Sequence, residues 1–211
     1  MEERLRAYGA EFLGTAWMVA IGTGSVAMNA SHLVVCLSFG IAVTVAILVL
    51  RSVSGAHINP AVSTAFVVSG HLPRDRWFGY VLAQLLGGLL GSLAVLMMFS
   101  ANHVAPTVLA SHVSLVEGAG IEVLITALLM ASIYIIVALK DGSTLAVALW
   151  VGATVAALAW VAGPLTGASM NPARTLGPNL LSGEGMVLYY AVTTVLGAWL
   201  AALGRTRLRP T

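Results

Sequence analysis

Long stretches without a charged residue dominate the pattern of apolar and polar positions. Each is close to the length that a helix needs to cross a hydrocarbon core of roughly 30 Å. Membrane strands would instead alternate apolar and polar residues over about 10 positions, and these stretches do not. The pattern therefore predicts an all-α integral membrane protein with six transmembrane helices. The six stretches are Phe12–Ala30, Leu33–Leu50, Trp77–Ser100, Val123–Leu139, Thr144–Ala162 and Gly185–Leu203.

Two shorter apolar stretches each follow a copy of one motif. Ser54-Gly-Ala-His-Ile-Asn-Pro-Ala61 recurs as Thr166-Gly-Ala-Ser-Met-Asn-Pro-Ala173, and the stretches after Asn are Pro60–Ser69 and Pro172–Leu181. At 1.5 Å per residue, each would form a helix of about 15 Å, which is half a bilayer. Proline suits the first helical position, where its missing N–H removes no hydrogen bond. We predict two re-entrant half-helices.

The same spacing predicts an inverted repeat. Glu11 and Thr15 in the first span recur as Glu122 and Thr126 in the fourth. Each copy holds three spans, so the second copy must enter the membrane from the opposite side. The sequence thus predicts one transmembrane channel domain over residues 1–211, built from repeats of approximately 1–102 and 115–205. The two half-helices would meet near the midplane of the membrane.

Composition and charge support this topology. Only 9% of the 211 residues are charged and 59% are hydrophobic, whereas soluble domains carry about 25% charged residues. Nine of the ten basic residues fall on one side of a six-span chain, together with both termini. The positive-inside rule predicts a multi-pass protein of the cell membrane with cytoplasmic termini, and it gives no reason to expect nucleic-acid binding. The nine are Arg4, Arg6, Arg51, Arg74, Arg76, Lys140, Arg205, Arg207 and Arg209.

The expected meeting point of the half-helices has a chemistry of its own. Two helix N-termini would place two positive dipole ends at the midplane, where they repel cations. Asn59 and Asn171 each carry an NH₂ group that can donate to a passing oxygen, which would interrupt a chain of waters that conducts protons. Arg174 is the basic residue on the opposite side, and an intramembrane arginine usually faces a cavity. These features predict a passive pore for small uncharged solutes.

Two glutamates inside the spans admit two interpretations. Glu11 and Glu122 could form a proton relay, but their equivalent positions favour a structural role as acceptors for unpaired backbone N–H groups. We expect His57 to support the first of these loops. The sequence has no nucleophile–base pair and no cluster of metal ligands, so we expect neither an enzyme, nor a cofactor, nor a bound metal.

These motifs resemble the aquaporin, or major intrinsic protein, family over essentially the whole chain. The resemblance rests on Glu11-x-x-Gly14-Thr15, Tyr80-x-x-Ala83-Gln84-x-x-Gly87 and the two Asn-Pro-Ala segments, Asn59-Pro60-Ala61 and Asn171-Pro172-Ala173, the second followed by Arg174. It implies a homotetramer in which each subunit has its own pore. It also implies an outer constriction in which an aromatic side chain opposes the arginine.

Counted along the sequence from the two motifs, the positions of the family's constriction correspond to Phe39, Ala159, Ala168 and Arg174. Water-selective members resemble one another in a histidine at the place of Ala159, so alanine implies a wider filter. Glycerol-type members usually have an aromatic residue at the position that corresponds to Ala168 and an aspartate at the position that corresponds to Thr175. This chain differs from them at both positions. The segment before Arg174 is most similar to nodulin-like intrinsic proteins and related bacterial channels. The resemblance therefore implies water, glycerol-like polyols and neutral metalloid hydroxides, such as arsenous acid, as solutes.

Two alternatives remain open. A strictly water-selective aquaporin would share every motif except the wider filter. A secondary transporter can also be an inverted repeat with broken helices, although it needs a coupling-ion site. Glu11 and Glu122 are the only candidates for that site.

Overall fold

The computed structural model describes residues 1–99, 104–139 and 143–207, and these form eight helices and no strand. An all-α fold with two half-length helices is therefore confirmed. Ser100, Lys140 and Arg209, which entered the sequence predictions, lie outside the described residues. The helices are α1 (Glu2–Ala27), α2 (His32–Ser54), α3 (Pro60–Val68), α4 (Arg74–Phe99), α5 (Leu115–Leu139), α6 (Thr144–Thr166), α7 (Pro172–Ser182) and α8 (Val187–Arg207).

Helices α2, α4, α5, α6 and α8 are long and apolar enough to cross a membrane. Helix α1, with 26 residues, is not in that group, because its polar first turns and the buried Glu11 lower its mean hydropathy. It nevertheless packs along α2 and α4, which are both apolar spans. Five of the six predicted spans are thus supported by their length and composition. The sixth, α1, is supported by its length and its packing.

Several helices extend beyond the apolar stretches that predicted them. Helix α1 begins at Glu2 and α5 at Leu115, before the predicted starts at Phe12 and Val123. The added turns carry charged or small residues, among them Glu117 in the first turn of α5. Hydropathy therefore finds the apolar part of each helix and not its ends.

Each half-helix begins in the same way. A long helix ends at a left-handed glycine, Gly55 after α2 and Gly167 after α6. An irregular segment follows, and the next helix is capped by an asparagine whose side chain accepts from the backbone N–H two residues later. Glycine allows the left-handed turn at no steric cost, and asparagine followed by proline is a favoured helix start.

Small residues let the half-helices pack deeply. A Cβ atom added at Gly88 of α4 would overlap the backbone of Ala173 in α7. Helices α3 and α7 contact each other, and both also pack against α4 and α8. The two half-helices therefore lie inside the ring of long helices and bring the two motifs together.

Candidate functional site

The two asparagines of the motifs hold the halves together by reciprocal hydrogen bonds. The amide of Asn59 donates through Nδ2 to the carbonyl of Met170 at 2.8 Å, and that of Asn171 donates to the carbonyl of Ile58 at 2.9 Å. Each Oδ1 accepts from its own half-helix, from Ala61 N or Ala173 N at 2.9 Å. An amide nitrogen has two N–H groups. The second one on each asparagine meets no oxygen acceptor among the described residues, although Nδ2 of Asn171 also lies 3.9 Å from Met18 Sδ, a weak acceptor.

The segments before the asparagines have an unusual backbone. Positive φ angles occur at equivalent places, 51° at Ala56 and 44° at Ala168, then 44° at Ile58 and 51° at Met170. A residue with a Cβ in this region costs of order 1–3 kcal/mol, so the surroundings must hold it there.

The two glutamates supply that restraint. Glu11 accepts from the backbone N–H groups of His57 at 2.9 Å and Ile58 at 2.6 Å. Glu122 accepts in the same way from Ser169 at 2.9 Å and Met170 at 3.1 Å. The N–H side of each segment is thereby turned toward a glutamate.

Both glutamates are fully buried and receive only donors. Glu11 also accepts from Ser54 Oγ at 2.6 Å and Gln84 Nε2 at 2.7 Å, and Glu122 accepts from Thr166 Oγ1 at 2.7 Å. Neither carboxylate lines the central cavity. This arrangement suits anchors for the two segments.

A second layer of contacts supports each segment, and the sequence argument missed most of it. The hydroxyl of Tyr80 donates to the Ser54 carbonyl at 2.6 Å, and that of Tyr190 donates to the Thr166 carbonyl at 2.7 Å. The signal was present, because the two tyrosines occupy matching places in α4 and α8. The ring of His57 lies with Nδ1 at 3.0 Å from Ser63 Oγ, a contact between the first loop and its half-helix.

One cavity of about 280 Å³ runs past both motifs. Its lining includes Asn59, Asn171 and His57, and all four of the residues expected at the constriction, Phe39, Ala159, Ala168 and Arg174. The charged residues that line it, among those described, are Arg51 and Arg174, with no carboxylate. The cavity can therefore accommodate a small neutral molecule and is unfavourable for a cation.

At the predicted constriction the arginine lies on the aromatic ring. The Cζ atom of Arg174 is 4.8 Å from the centroid of the Phe39 ring, a cation–π distance. Its Nη1 donates to Thr107 Oγ1. The side chain of Asn179 holds Thr107 by accepting from its N–H at 2.8 Å and donating to its carbonyl at 2.9 Å. Thr107 and Asn179 thus fix the arginine, and no pattern in the sequence pointed to either.

A known protein family and known proteins are similar to this chain in sequence and architecture. The family described as "Major intrinsic protein" matches residues 1–204. The chain belongs to this family. It is 35% identical over 206 residues to "Glycerol uptake facilitator protein-like 6" of Lactiplantibacillus plantarum, which covers 94% of this chain and 95% of that protein. It is 37% identical over 197 residues to "Aquaporin NIP1-1" of Zea mays, which covers 90% of this chain and 70% of that protein.

Among solved structures, the aquaglyceroporin from Plasmodium falciparum matches with a TM-score of 0.89 at 24% identity, over 97% of this chain and 96% of that one. At this identity the match establishes the fold. The family resemblance inferred from the motifs is confirmed by the family match and by the relatives, and the fold by the solved structure.

This major intrinsic protein is not symmetric in its anchors. Gln84 of α4 bonds both Glu11 and Ser63, at 2.7 Å and 2.8 Å. The matching place in α8 holds Thr194, whose hydroxyl donates to its own helix at the Tyr190 carbonyl. The first segment consequently has one more side-chain anchor than the second.

Proposed function

We propose that this protein is a passive membrane channel for water and small uncharged solutes, and that it excludes ions and protons. The observation that carries the proposal is the cavity itself. It passes both Asn-Pro-Ala segments and, among the described residues, is lined by two arginines and no carboxylate. A cation would meet those charges and the N-terminal ends of α3 and α7 without a counter-charge.

The two asparagines account for proton exclusion in this proposal. Each is anchored through one N–H to the opposite half, which fixes the direction of the other. A water that accepts from both cannot accept from its neighbours in a single file. The residues that act here are Asn59, Pro60, Ala61, Asn171, Pro172 and Ala173, with Glu11, Glu122 and His57 as supports.

Solute choice is assigned to Phe39, Ala159, Ala168 and Arg174. Arg174 donates to solute oxygens, Phe39 offers an apolar wall, and the two alanines leave room for a compact polyol. The name of one relative, "Glycerol uptake facilitator protein-like 6", supports this assignment. We extend it to neutral metalloid hydroxides such as arsenous acid, which have the size and hydroxyl groups of a small polyol.

The contact between Arg174 and Phe39 favours a second candidate, a strictly water-selective channel. With Cζ 4.8 Å from the ring centroid, the two side chains touch and narrow the opening between them. A polyol then passes only if this contact opens, whereas water needs less room.

The proposed setting is the cell membrane, with both termini cytoplasmic and the whole chain acting as one channel domain in lipid. The distribution of basic residues supports this orientation. A homotetramer is proposed from the family. A secondary transporter is disfavoured, because both of its candidate coupling-ion residues, Glu11 and Glu122, are fully buried behind the pore segments.

Stopped-flow measurements on proteoliposomes test the proposal. Water, glycerol and arsenous acid are applied in turn to the same vesicles, with empty vesicles as the control. A channel gives a low activation energy, no saturation at modest concentration and no response to a proton gradient. Water flux without glycerol or arsenous acid flux would select the water-only candidate, and saturable, gradient-driven uptake would refute the channel.

A further inference from the structure

A proline in α6 leaves one backbone carbonyl without its helical donor. In a regular helix the carbonyl of Trp160 would accept from the N–H of residue 164, but that residue is Pro164, which has none. The ring nitrogen Nε2 of His32, from the start of α2, lies 3.0 Å from the Trp160 oxygen. A carbonyl can only accept, so the proton of the ring is on Nε2.

The ring of His32 fits a recess beside that carbonyl. It stacks on the indole of Trp160, with ring centroids 4.9 Å apart and planes at 27°. A Cβ atom at Gly163 would come within 2.7 Å of its Cε1, so any larger residue there would displace the ring. Trp160, Gly163 and Pro164 together form a docking site for this one side chain, which we call the α6 recess.

The docked ring also belongs to the wall of the pore. His32 lines the cavity, as do Cys36 and Phe39, which follow it along one face of α2. With the proton on Nε2, the neutral ring keeps a lone pair on Nδ1. The sulfur of Cys36 is 3.8 Å from Nδ1 and 3.7 Å from Nε2, and a thiol is only a weak donor. Nδ1 is thus an acceptor with no donor of ordinary strength in the described part of the chain.

We propose that His32 is a further solute-binding residue of the pore, which accepts a hydrogen bond from a solute hydroxyl through Nδ1 at the Arg174 end. This rests on the proposed channel function and adds an acceptor to it. Seven residues of α2 separate His32 from Phe39, or about 10 Å. A polyol therefore meets an acceptor at His32 before it meets the donors of Arg174, and it exchanges its water in two steps. Pro164 and Gly163 are positioning residues that hold the ring.

The first experiment tests whether His32 lines the pore, and the measured quantity is water flux. Cys36 is the only cysteine, so His32→Cys in a Cys36→Ser background gives a single thiol. We expect a charged methanethiosulfonate reagent to block its water flux. The matched control is His112→Cys in the same background. His112 is exposed and lines a separate surface groove, so labelling there should leave water flux unchanged. A labelled His32→Cys protein that keeps full water flux would overturn the proposal.

The second experiment removes the acceptor nitrogen of His32 but keeps an aromatic ring at that position. In His32→Phe we expect the ratio of glycerol to water permeability to fall about two- to tenfold, the size of one net hydrogen bond. Pro164→Ala restores an N–H that competes for the Trp160 carbonyl and releases His32, so it should lower the same ratio. In the His32→Phe background Pro164→Ala should have no further effect on the ratio. A purely structural role for Pro164 would lower both fluxes equally in either background.

The outcomes also separate this proposal from the channel function. If wild-type vesicles pass water but no glycerol, the polyol part of the proposed function fails, and the binding role of His32 fails with it. The thiol experiment still decides where His32 lies. If glycerol passes and His32→Phe leaves the ratio unchanged, the channel stands and the role of His32 is refuted.

Discussion

Gly22 of α1 determines how far the Phe39 ring can retreat from the pore. A Cβ atom added at Gly22 would overlap three atoms of that ring, Cδ1, Cε1 and Cζ. The ring is buried, and the guanidinium of Arg174 lies on it. In Gly22→Ala the ring must therefore move toward Arg174 and the cavity.

The size of the effect follows from this overlap. The added Cβ would lie 2.1 Å from the nearest ring atom. Carbon atoms pack at about 3.5–4.0 Å, so the ring must shift by about 1.5 Å. Overpacking of this kind costs about 1–3 kcal/mol. If about 1.4 kcal/mol of that is added to the barrier for a solute that must displace the ring, glycerol permeability falls about tenfold. Water needs less room, so its permeability falls less.

The assay is the ratio of glycerol to water permeability in proteoliposomes. Gly79→Ala is the matched control, because a Cβ there would overlap the ring of Tyr8, which does not line the cavity. Both variants overpack one aromatic ring, but only Gly22→Ala does so beside the pore. Equal ratios in the two variants, with both proteins folded, would refute the assignment of Phe39 to the constriction.

Three further changes test other parts of the site. Ala159→His should narrow the pore and reduce glycerol flux more than water flux in the same vesicles; an unchanged ratio would place Ala159 away from the constriction. Glu122→Gln replaces an acceptor of three donors with a group that must turn its NH₂ toward one of them, so the protein should lose about 1.5–3 kcal/mol of stability. We expect the variant to have a lower Tm in detergent than the wild type. An unchanged Tm would contradict the anchoring role of Glu122. Thr107→Val keeps the shape but removes the acceptor for Arg174, so glycerol flux should rise relative to water as the arginine is released; equal flux ratios in variant and wild type would argue against that restraint.

The sequence allowed prediction where a motif occurs twice in the chain. The two Asn-Pro-Ala segments and the glutamates recur at a fixed spacing, so both half-helices and their anchors could be predicted. Arg174 stood out because it breaks the charge rule that the other basic residues follow. Phe39 and Ala159, which line the cavity, were implied only by the resemblance to the major intrinsic protein family.

The sequence was silent where contacts join distant segments without periodicity. Thr107 lies in an irregular segment and reaches Arg174 only because Asn179 fixes its backbone. His32 was passed over because it stands at the start of a helix, while its partner is a carbonyl 128 residues away in sequence. Left-handed backbone at Ile58 and Met170 is also invisible to propensity, since neither residue type favours it.

The crossed bonds of the two asparagines carry a consequence for biogenesis. Asn59 and its acceptor on Met170 are 111 residues apart, and Asn171 and Ile58 are 113 apart. While the chain is being synthesised, the first re-entrant segment must therefore wait in the membrane with an unpaired amide and carbonyl until the second one arrives. Both groups find their partners only when the second segment has entered the membrane. A chain that stops between the two segments would therefore leave two polar groups unpaired inside the membrane.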